Sequence, residues 1–307
     1  MDGVLVVAKP IGPTSHDVVG LVRRLSQTKR VGHGGTLDPF ASGVLPVFLG
    51  KATRLVEYHL GDRKRYRATI CFGASSTTDD LEGALTPAAG PPPSRDAVER
   101  ALAGFLGEID QRPPAFSAIK VAGRRAYAMA RSGQEVELRP RPVRIDALEL
   151  VEWDDATAGE PVAIVDVACS AGTYVRSLAR DLGEAVGSGA YLGALVRTAS
   201  GPFRLEDATA LDDVRAATAG GPDGLAPFLG PIDAGLDLPE LTIPDGAIAA
   251  IARGQSIGVP ADAGPLVPDA PILLRALDGT LVAVARLVGT KLAPDKVLIG
   301  PEPAVSR

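Results

Sequence analysis

The chain has 307 residues, 46% of them hydrophobic and 22% charged, with a formal net charge of −5. Such values belong to a folded globular protein with room for one large domain and one small one, and they exclude a disordered or collagen-like chain. No apolar run approaches membrane-spanning length and the N-terminal one is too short for a secretory signal, so the expected location is the cytoplasm.

In chain order, Gly3 to Ala8 is a short β-rich run ending at Lys9-Pro10, and Pro13-Thr14-Ser15 is a turn. Ser15 is placed to cap a helix from His16 to about Ser26, with Val18, Val19, Val22 and Leu25 on one face. A glycine-rich loop follows, running into the apolar stretch Val44 to Leu49. Arg65 to Phe72 alternates as a strand, with Tyr66, Ala68, Ile70 and Phe72 on one side. Ala74 to Gly83 is polar and irregular. Ser94 caps a helix to about Leu106, with Val98, Leu102 and Phe105 inward. Gln111 to Pro114 is extended, Arg124 to Ser132 suggests a basic helix, and Arg141–Trp153 and Val162–Ser170 alternate as strands. Tyr174 to Val186 has helical periodicity and is ended by Gly187. The segment from about Gly220 to Pro239, rich in Gly, Pro and Asp, has the composition of a linker. Beyond it lie a short helix, Asp245 to Arg253, and strand-like runs at 272–275, 281–288 and 296–299. Helices and strands mix without βαβ alternation, so the expected class is α+β: a mixed, mainly antiparallel sheet flanked by helices, with a small β-rich C-terminal domain. The expected division is residues 1–230 and residues 240–303.

The charge is unevenly placed. Between Arg112 and Arg144 stand eight basic residues (Arg112, Lys120, Arg124, Arg125, Arg131, Arg139, Arg141, Arg144) against Glu135 and Glu137, whereas 205–245 holds nine acids and one base, Arg215. A local basic field of the first kind steers a polyanion even on an acidic protein, although an ordinary solvated face has the same composition. Cys71 and Cys169 stand far apart in alternating apolar stretches and are expected as buried strand thiols in a reducing compartment. His16, His33 and His59 lack the spacing of metal ligands, and no dinucleotide or phosphate-loop fingerprint is present, so no metal and no cofactor is expected.

The most informative stretch is 32–50, Gly-His-Gly-Gly-Thr-Leu-Asp-Pro-Phe-Ala-Ser-Gly-Val-Leu-Pro-Val-Phe-Leu-Gly. One carboxylate, Asp38, stands between a glycine-rich turn and Pro39, which fixes its own φ and drives Asp38 toward an extended conformation. An acid held at both ends of a loop suits a reactive carboxylate; the same residue types also occur where an aspartate caps a helix or closes a turn.

This stretch closely resembles the active-site motif of the TruB-type tRNA pseudouridine synthases, and four further blocks resemble that family in the same order. They are Lys9 to Ser15; Tyr66 with Phe72-Gly73 and Ser76 to Gly83; Gln111 to Lys120; and Cys169 to Arg176 with Asp181-Leu182-Gly183. A shorter element, Leu195-Val196-Arg197, follows, and the C-terminal domain resembles a PUA-like RNA-binding domain only weakly. Ser42 and Ser76-Thr77-Thr78 depart from residues common in the family without removing a chemical group the reaction needs; Ala171 and Val196 stand where many members carry Lys and Arg, a departure that bears on phosphate contact and not on catalysis.

The resemblance implies isomerisation of uridine 55 in the T-loop of tRNA to pseudouridine, with base flipping, glycosidic cleavage and reattachment through C5, and without metal or cofactor. It implies Asp38 as the catalytic aspartate, acting on the ribose, on the base or by promoting cleavage. It implies Arg176 as its ionic partner and Tyr66 as the aromatic against the flipped base, whose hydroxyl is placed to handle the C5 proton. It implies substrate contacts at His33, Tyr174, Leu195 and Asp80, with the basic span of about 112–144 on T-arm phosphates. Taken alone, each residue has an ordinary alternative: a surface helix arginine, a core strand tyrosine, a capping imidazole, a turn aspartate. The expected partner is the tRNA T-arm stem-loop, with no membrane, and the expected state is a monomer. Two other readings compete: a non-catalytic tRNA-binding or folding factor on the same scaffold, which the presence of Asp38, Tyr66 and Arg176 disfavours, and a glycosidase using Asp38 and Asp80, which the scarcity of aromatics disfavours. A guide-RNA-dependent relative is disfavoured by the bacterial-style spacing.

Overall fold

The chain enters through β1 (Gly3–Lys9), passes along the helix Ser15–Leu25, and returns through β2 (Val31–His33) and β3 (Ser42–Leu49). From Gly43 to Leu49 every residue of β3 is buried, because this strand is covered on both faces. Leu45, Val47 and Leu49 pack with Val18, Val19 and Val22 of the helix, and Val44 and Phe48 pack with Val4, Ala52 and Phe203 on the other side. A strand sandwiched in this way has a continuous apolar run rather than an alternating one.

The computed structural model describes the chain apart from residues 118–119, 122–123, 126–128, 130–133, 135–137, 158–159, 262 and 300–307, with backbone alone at 120–121 and 124–125. Further along lie β4 (Lys64–Phe72), the hairpin strands β5 (Ala74–Ser76) and β6 (Leu85–Pro87), β7 (Gly107–Gln111), β8 (Lys120–Val121), β9 (Arg124–Arg125), β10 (Arg141–Asp154), β11 (Val162–Cys169) and β12 (Ala190–Ser200). The main sheet runs Thr209–Ala210, β1, β3, β12, β4, β11, β10, β7. Its pairings among the described residues are antiparallel except for β1 with Thr209–Ala210 and β3 with β12, so the sheet is mixed and mainly antiparallel. The helices Arg95–Leu102 and Val175–Ala185 cover β4, β11 and β12, joining Val98, Leu102, Leu178 and Leu182 to Ala68, Ile70, Phe72, Val165 and Leu192. A second, five-stranded sheet with the helix Asp245–Ala252 forms the C-terminal module around Ile251, Ile272, Leu274 and Ala285.

Several expectations need correction. The N-cap of the first helix is Thr14, not Ser15: Thr14 and Asp17 form a reciprocal capping box, and Ser15 turns inward. The helix begun by Ser94 ends at Leu102 and tightens into a 3-10 turn, Ala103–Phe105. The segment 74–83, expected as irregular, opens with strand β5, which pairs with β6 just beyond it. The helix expected over Arg124–Ser132 begins instead as strand β9, and most of its remainder lies outside the described residues. The segment 220–239 is no free linker. Leu225 is fully buried, Leu229–Gly230 pairs with β1, and Asp233 holds Arg275 of the C-terminal module at 2.5 Å. The crossing is tight on the β1 side: Gly3 admits Gly230, because a Cβ on residue 3 would lie 2.6 Å from the Gly230 carbonyl oxygen. Cys169 is buried as expected, whereas Cys71 is half-buried. The long strand β12 has no counterpart among the expected elements, since a bulge between Leu192 and Ala194 breaks its alternation.

The C-terminal module rests on residues 54–58. Leu55 joins Leu273, Leu281 and Val284, the Tyr58 hydroxyl bonds Asp295 at 3.2 Å, and Lys296 pairs with Glu57 at 2.9 Å.

Gly43 lies where β3 meets β12. Its φ is +112°, and a Cβ there would stand 2.2 Å from the Arg197 carbonyl oxygen. Gly43→Ala is expected to destabilise the protein by about 2 kcal/mol or more, combining a left-handed backbone with a backbone clash. Thermal melting followed by circular dichroism checks it; an unchanged midpoint would show that the β3–β12 contact relaxes freely.

Candidate active site

Asp38 stands on the loop between β2 and β3, and that loop is held from three directions. Ser15, at the start of the first helix, donates from Oγ to the Leu37 carbonyl at 3.0 Å and accepts from the Leu37 N–H at 2.8 Å. The turn after β1 reaches Pro39: Gly12 N–H donates to the Pro39 carbonyl at 2.9 Å, and Lys9 Nζ lies 3.4 Å from the same oxygen while bonding the Pro10 and Pro13 carbonyls. From β12, Arg197 donates to the carbonyls of Gly35, Thr36 and Val44 at 3.1, 3.2 and 2.7 Å. Within the loop, Ala41 N–H closes a turn onto the Asp38 carbonyl at 3.1 Å. Asp38 is thus offered by a backbone whose conformation is set on both sides.

Its partner is Arg176, near the start of the helix Val175–Ala185. Arg176 Nε lies 3.0 Å from Asp38 Oδ2, and Arg176 Nη1 lies 3.3 Å from Asp80 Oδ2. The same guanidinium donates to the carbonyls of Thr78 at 3.3 Å and Phe116 at 3.1 Å. A buried arginine therefore bridges two aspartates. They are not equivalent: the Asp38 side chain is 35% exposed and the Asp80 side chain 4%. Asp80 is further engaged by the Thr78 hydroxyl and the Glu82 N–H. Asp38 is the carboxylate open to a ligand; Asp80 stands behind Arg176 and orients it.

Burial pushes the Asp38 carboxyl above the ordinary aspartate range and the Asp80 charge adds to this, while the Arg176 and Lys9 cations oppose it. Burial likewise lowers Lys9 to about 8, with Asp38 opposing and Arg197 reinforcing the shift. The positive groups thus hold Asp38 against desolvation, the force that favours its neutral form.

Tyr66, on β4, is half-buried and packs against the cluster that contains Leu37, Phe40 and Leu195. Its phenol is raised by burial, and the charge of Arg197 counters that rise. Leu195 is buried on β12 opposite Ala68, one alternation from Arg197. Tyr174 caps the helix that carries Arg176; its backbone exchanges two hydrogen bonds with the Gln111 amide, at 2.8 and 3.0 Å. His33, at the end of β2, accepts from the Gly35 N–H through Nδ1 at 3.2 Å and is lowered by burial and by Arg197.

Asp38, Arg176 and Asp80 therefore form one ionic array, Tyr66 and Leu195 share the apolar cluster beside it, and Tyr174 and His33 stand on the elements that flank it. Four residues organise the site without having been expected in it: Lys9, Gln111 and Arg197, which carried no assigned role, and Ser15, expected only as a helix cap. For Arg197 a signal existed. It has the same strand parity as Leu195, so it falls on the inward face, where a charged residue calls for an explanation. Of the basic span 112–144, the side chains of Lys120, Arg124, Arg125 and Arg131 lie outside the described residues. Arg141 and Arg144 are exposed on β10. Among the described residues no group of His, Cys, Asp and Glu is arranged to hold a metal, and no helix is long and apolar enough to cross a membrane.

Comparison with known proteins extends these observations. Residues 23–175 match the family described as "TruB family pseudouridylate synthase (N terminal domain)", and residues 176–237 match "tRNA pseudouridylate synthase B C-terminal domain". Proteins named tRNA pseudouridine synthase B are similar over most of their length. The one from Geobacillus kaustophilus is 46% identical, covering 85% of this chain and 92% of the relative. The one from Bradyrhizobium diazoefficiens is 41% identical, covering 96% and 85%. Among solved structures, an H/ACA RNP bound to a substrate RNA containing 2'-deoxyuridine is similar with a TM-score of 0.74 and 28% identity, covering 98% of this chain and 86% of the other. An archaeal box H/ACA sRNP Nop10-Cbf5 complex gives 0.73 and 28%, covering 98% and 87%.

Removing the cation should let desolvation act on Asp38 unopposed. In Arg176→Gln the Asp38 carboxyl is expected to titrate at higher pH than in the unaltered protein, by about one unit or more. Carboxyl-carbon NMR of selectively labelled protein measures this directly, and an unmoved or lower titration would remove Arg176 as the group that keeps Asp38 ionised.

Proposed function

The chain belongs to the TruB family of pseudouridylate synthases, and from that premise we propose how its residues carry the reaction. The enzyme is an isomerase that converts uridine 55 in the T-loop of tRNA to pseudouridine. The N1–C1′ bond breaks, a C5–C1′ bond forms, C5 loses a proton and N1 gains one, so there is neither net oxidation nor hydrolysis. One observation carries the assignment of roles: the only partly covered carboxylate of the array, Asp38, is held by Arg176 beside the apolar wall of Tyr66 and Leu195.

Asp38 acts in its ionised form. Whether it attacks the ribose or the base or assists departure of the uracil, it must present a charged oxygen at a fixed place, and Arg176 supplies both the charge and the planar fork that orients it. Asp80 positions Arg176. Tyr66 and Leu195 receive the uracil after it has been extruded from the T-loop, the ring by stacking and the leucine by packing. The Tyr66 hydroxyl faces the side from which the C5 proton leaves. Tyr174 borders the pocket, and His33 contacts the T-loop vacated by the base.

The partner is the T-arm stem-loop, engaged through its phosphates by the basic span of 112–144, of which Arg141 is exposed on β10 and Arg144, also exposed, is paired with Asp146 at 3.1 Å. The catalytic machinery lies within residues 1–230, and residues 240–303 form the smaller domain. The enzyme works as a monomer in the cytoplasm, where its tRNA substrate is found.

The test is release of tritium from C5-labelled uridine in a T-arm stem-loop. The unaltered protein is expected to release label and form one pseudouridine in the T-loop. Asp38→Ala is expected to bind the RNA and release label at least about a thousandfold more slowly. Tight binding without release by the unaltered protein would favour a non-catalytic tRNA-binding role, and release by both proteins would take the chemistry away from Asp38.

A further inference from the structure

Arg197 is fully buried, and the mechanism above gives it no part. An arginine in such a place must have its charge and its donors answered. Its donors go to backbone oxygens, at Gly35 and Thr36 of the loop and at Val44 of β3, and its charge acts on the Tyr66 phenol. The carbonyls lie on both sides of Asp38 along the chain, two before it and one after, so a single planar group spans the mouth of the loop.

The backbone of Arg197 occupies an equally particular place. In β12 it is the residue opposite Gly43 of β3, in parallel pairing, and opposite Tyr66 of β4, in antiparallel pairing. The approach to β3 is so close that the position opposite must be glycine. The strand that begins just after the Asp38 loop and the strand that carries Tyr66 are therefore bridged at Arg197 and its neighbour Val196. Its side chain then reaches over the loop while its main chain joins the two strands.

We propose that Arg197 is a positioning residue for the isomerisation: it locks the loop that carries Asp38 to the strand that carries Tyr66, fixing the separation of carboxylate and ring across the flipped uridine. The inference rests on the roles given above to Asp38 and Tyr66. The guanidinium suits the task because its donors diverge in one plane. A lysine ammonium at the end of a flexible stem concentrates its donors on one nitrogen and cannot hold Gly35 and Val44 at once with the same rigidity. Misplacing reacting groups by about an ångström slows a reaction roughly a hundredfold while leaving much of substrate binding intact.

A second consequence concerns the phenol. The charged and titratable groups that act on Tyr66 are Arg197 and, more weakly, Cys169 and Asp38, and Lys64 is itself influenced by Arg197. Arg197 is the cation that opposes the effect of burial on the hydroxyl. Loss of its charge leaves that effect unopposed.

Full-length Arg197→Lys and Arg197→Gln test this on a T-arm stem-loop, with RNA affinity from fluorescence anisotropy and the rate from single-turnover pseudouridine formation. Tyr66 is followed by ultraviolet difference titration against Tyr66→Phe. The expected result is an affinity within about threefold of the unaltered protein and a rate reduced roughly a hundredfold in both variants, lysine giving no rescue. The Tyr66 titration should move to higher pH in Arg197→Gln and stay near its original place in Arg197→Lys. A single-turnover rate within about threefold of the unaltered protein in Arg197→Lys would overturn the proposal. So would an unmoved Tyr66 titration in folded Arg197→Gln, or loss of the folded circular dichroism spectrum in both variants, which would make Arg197 a scaffold residue only. If Arg197→Gln alone fails to fold, the ratio of rate to affinity in Arg197→Lys decides. If the unaltered protein forms no pseudouridine, the functional reading falls, and the Tyr66 titration still decides whether Arg197 is coupled to the phenol.

Discussion

The site turns on the opposition of burial and ion pairing at one half-buried carboxylate. Burial drives Asp38 toward its neutral form, and the protein answers with Arg176, itself buried and shared with Asp80. A lone buried guanidinium would be unstable, so two carboxylates and two backbone carbonyls surround it. The result is a chain of mutual dependence: Asp80 and the Thr78 and Phe116 carbonyls hold Arg176, and Arg176 holds Asp38. The difference in exposure between the two aspartates turns that chain into a site with a direction, open at Asp38 and closed at Asp80.

The two buried arginines divide the work by what they bond. Arg176 faces carboxylates and sets charge. Arg197 faces carbonyls and sets shape, since a carbonyl offers a fixed lone-pair direction without any net charge to satisfy. Ser15 and Lys9 belong with Arg197 in this respect: each binds main-chain oxygens of the loop or of the turn that abuts it. A loop held in this manner has few conformations open to it, so the carboxylate it carries is pre-organised. The same economy of rigid contacts ties the C-terminal module to residues 54–58, directly downstream of β3, so the module is joined to the strand that supports the site.

Much of this was legible in the residues. The alternation of β4 placed Tyr66 on the face with Ala68, Ile70 and Phe72, and the core confirms that face. The apolar run of β3, the helix around Arg176 and the C-terminal β-rich module were all visible as periodicity. The sequence reading failed where a local preference had two physical outlets. Thr14 and Ser15 are both good caps; Thr14 won because Asp17 stands three residues on, which freed Ser15 to reach Leu37. The glycines and prolines of 220–239 indicated a linker, but Leu225, Leu229 and Asp233 found partners on β1 and in the C-terminal module, contacts that no local composition encodes. The bulge in β12 erased the alternation that would have announced a central strand.

What the sequence determined by itself was the chemistry available: an aspartate between a glycine turn and a proline, and an arginine and a tyrosine in separate periodic segments. These are properties of residue type and short-range spacing, and they survive any change of tertiary context. Tertiary structure decided which groups meet. Asp38, Asp80 and Arg176 are brought together from three separate stretches of chain, and Arg197 joins β3 to β4 only because β12 lies between them in the sheet. The physical reason is that ion pairing and desolvation act over a few ångströms of space and take no account of distance along the chain, so the charge state and orientation of Asp38 exist only in the folded molecule.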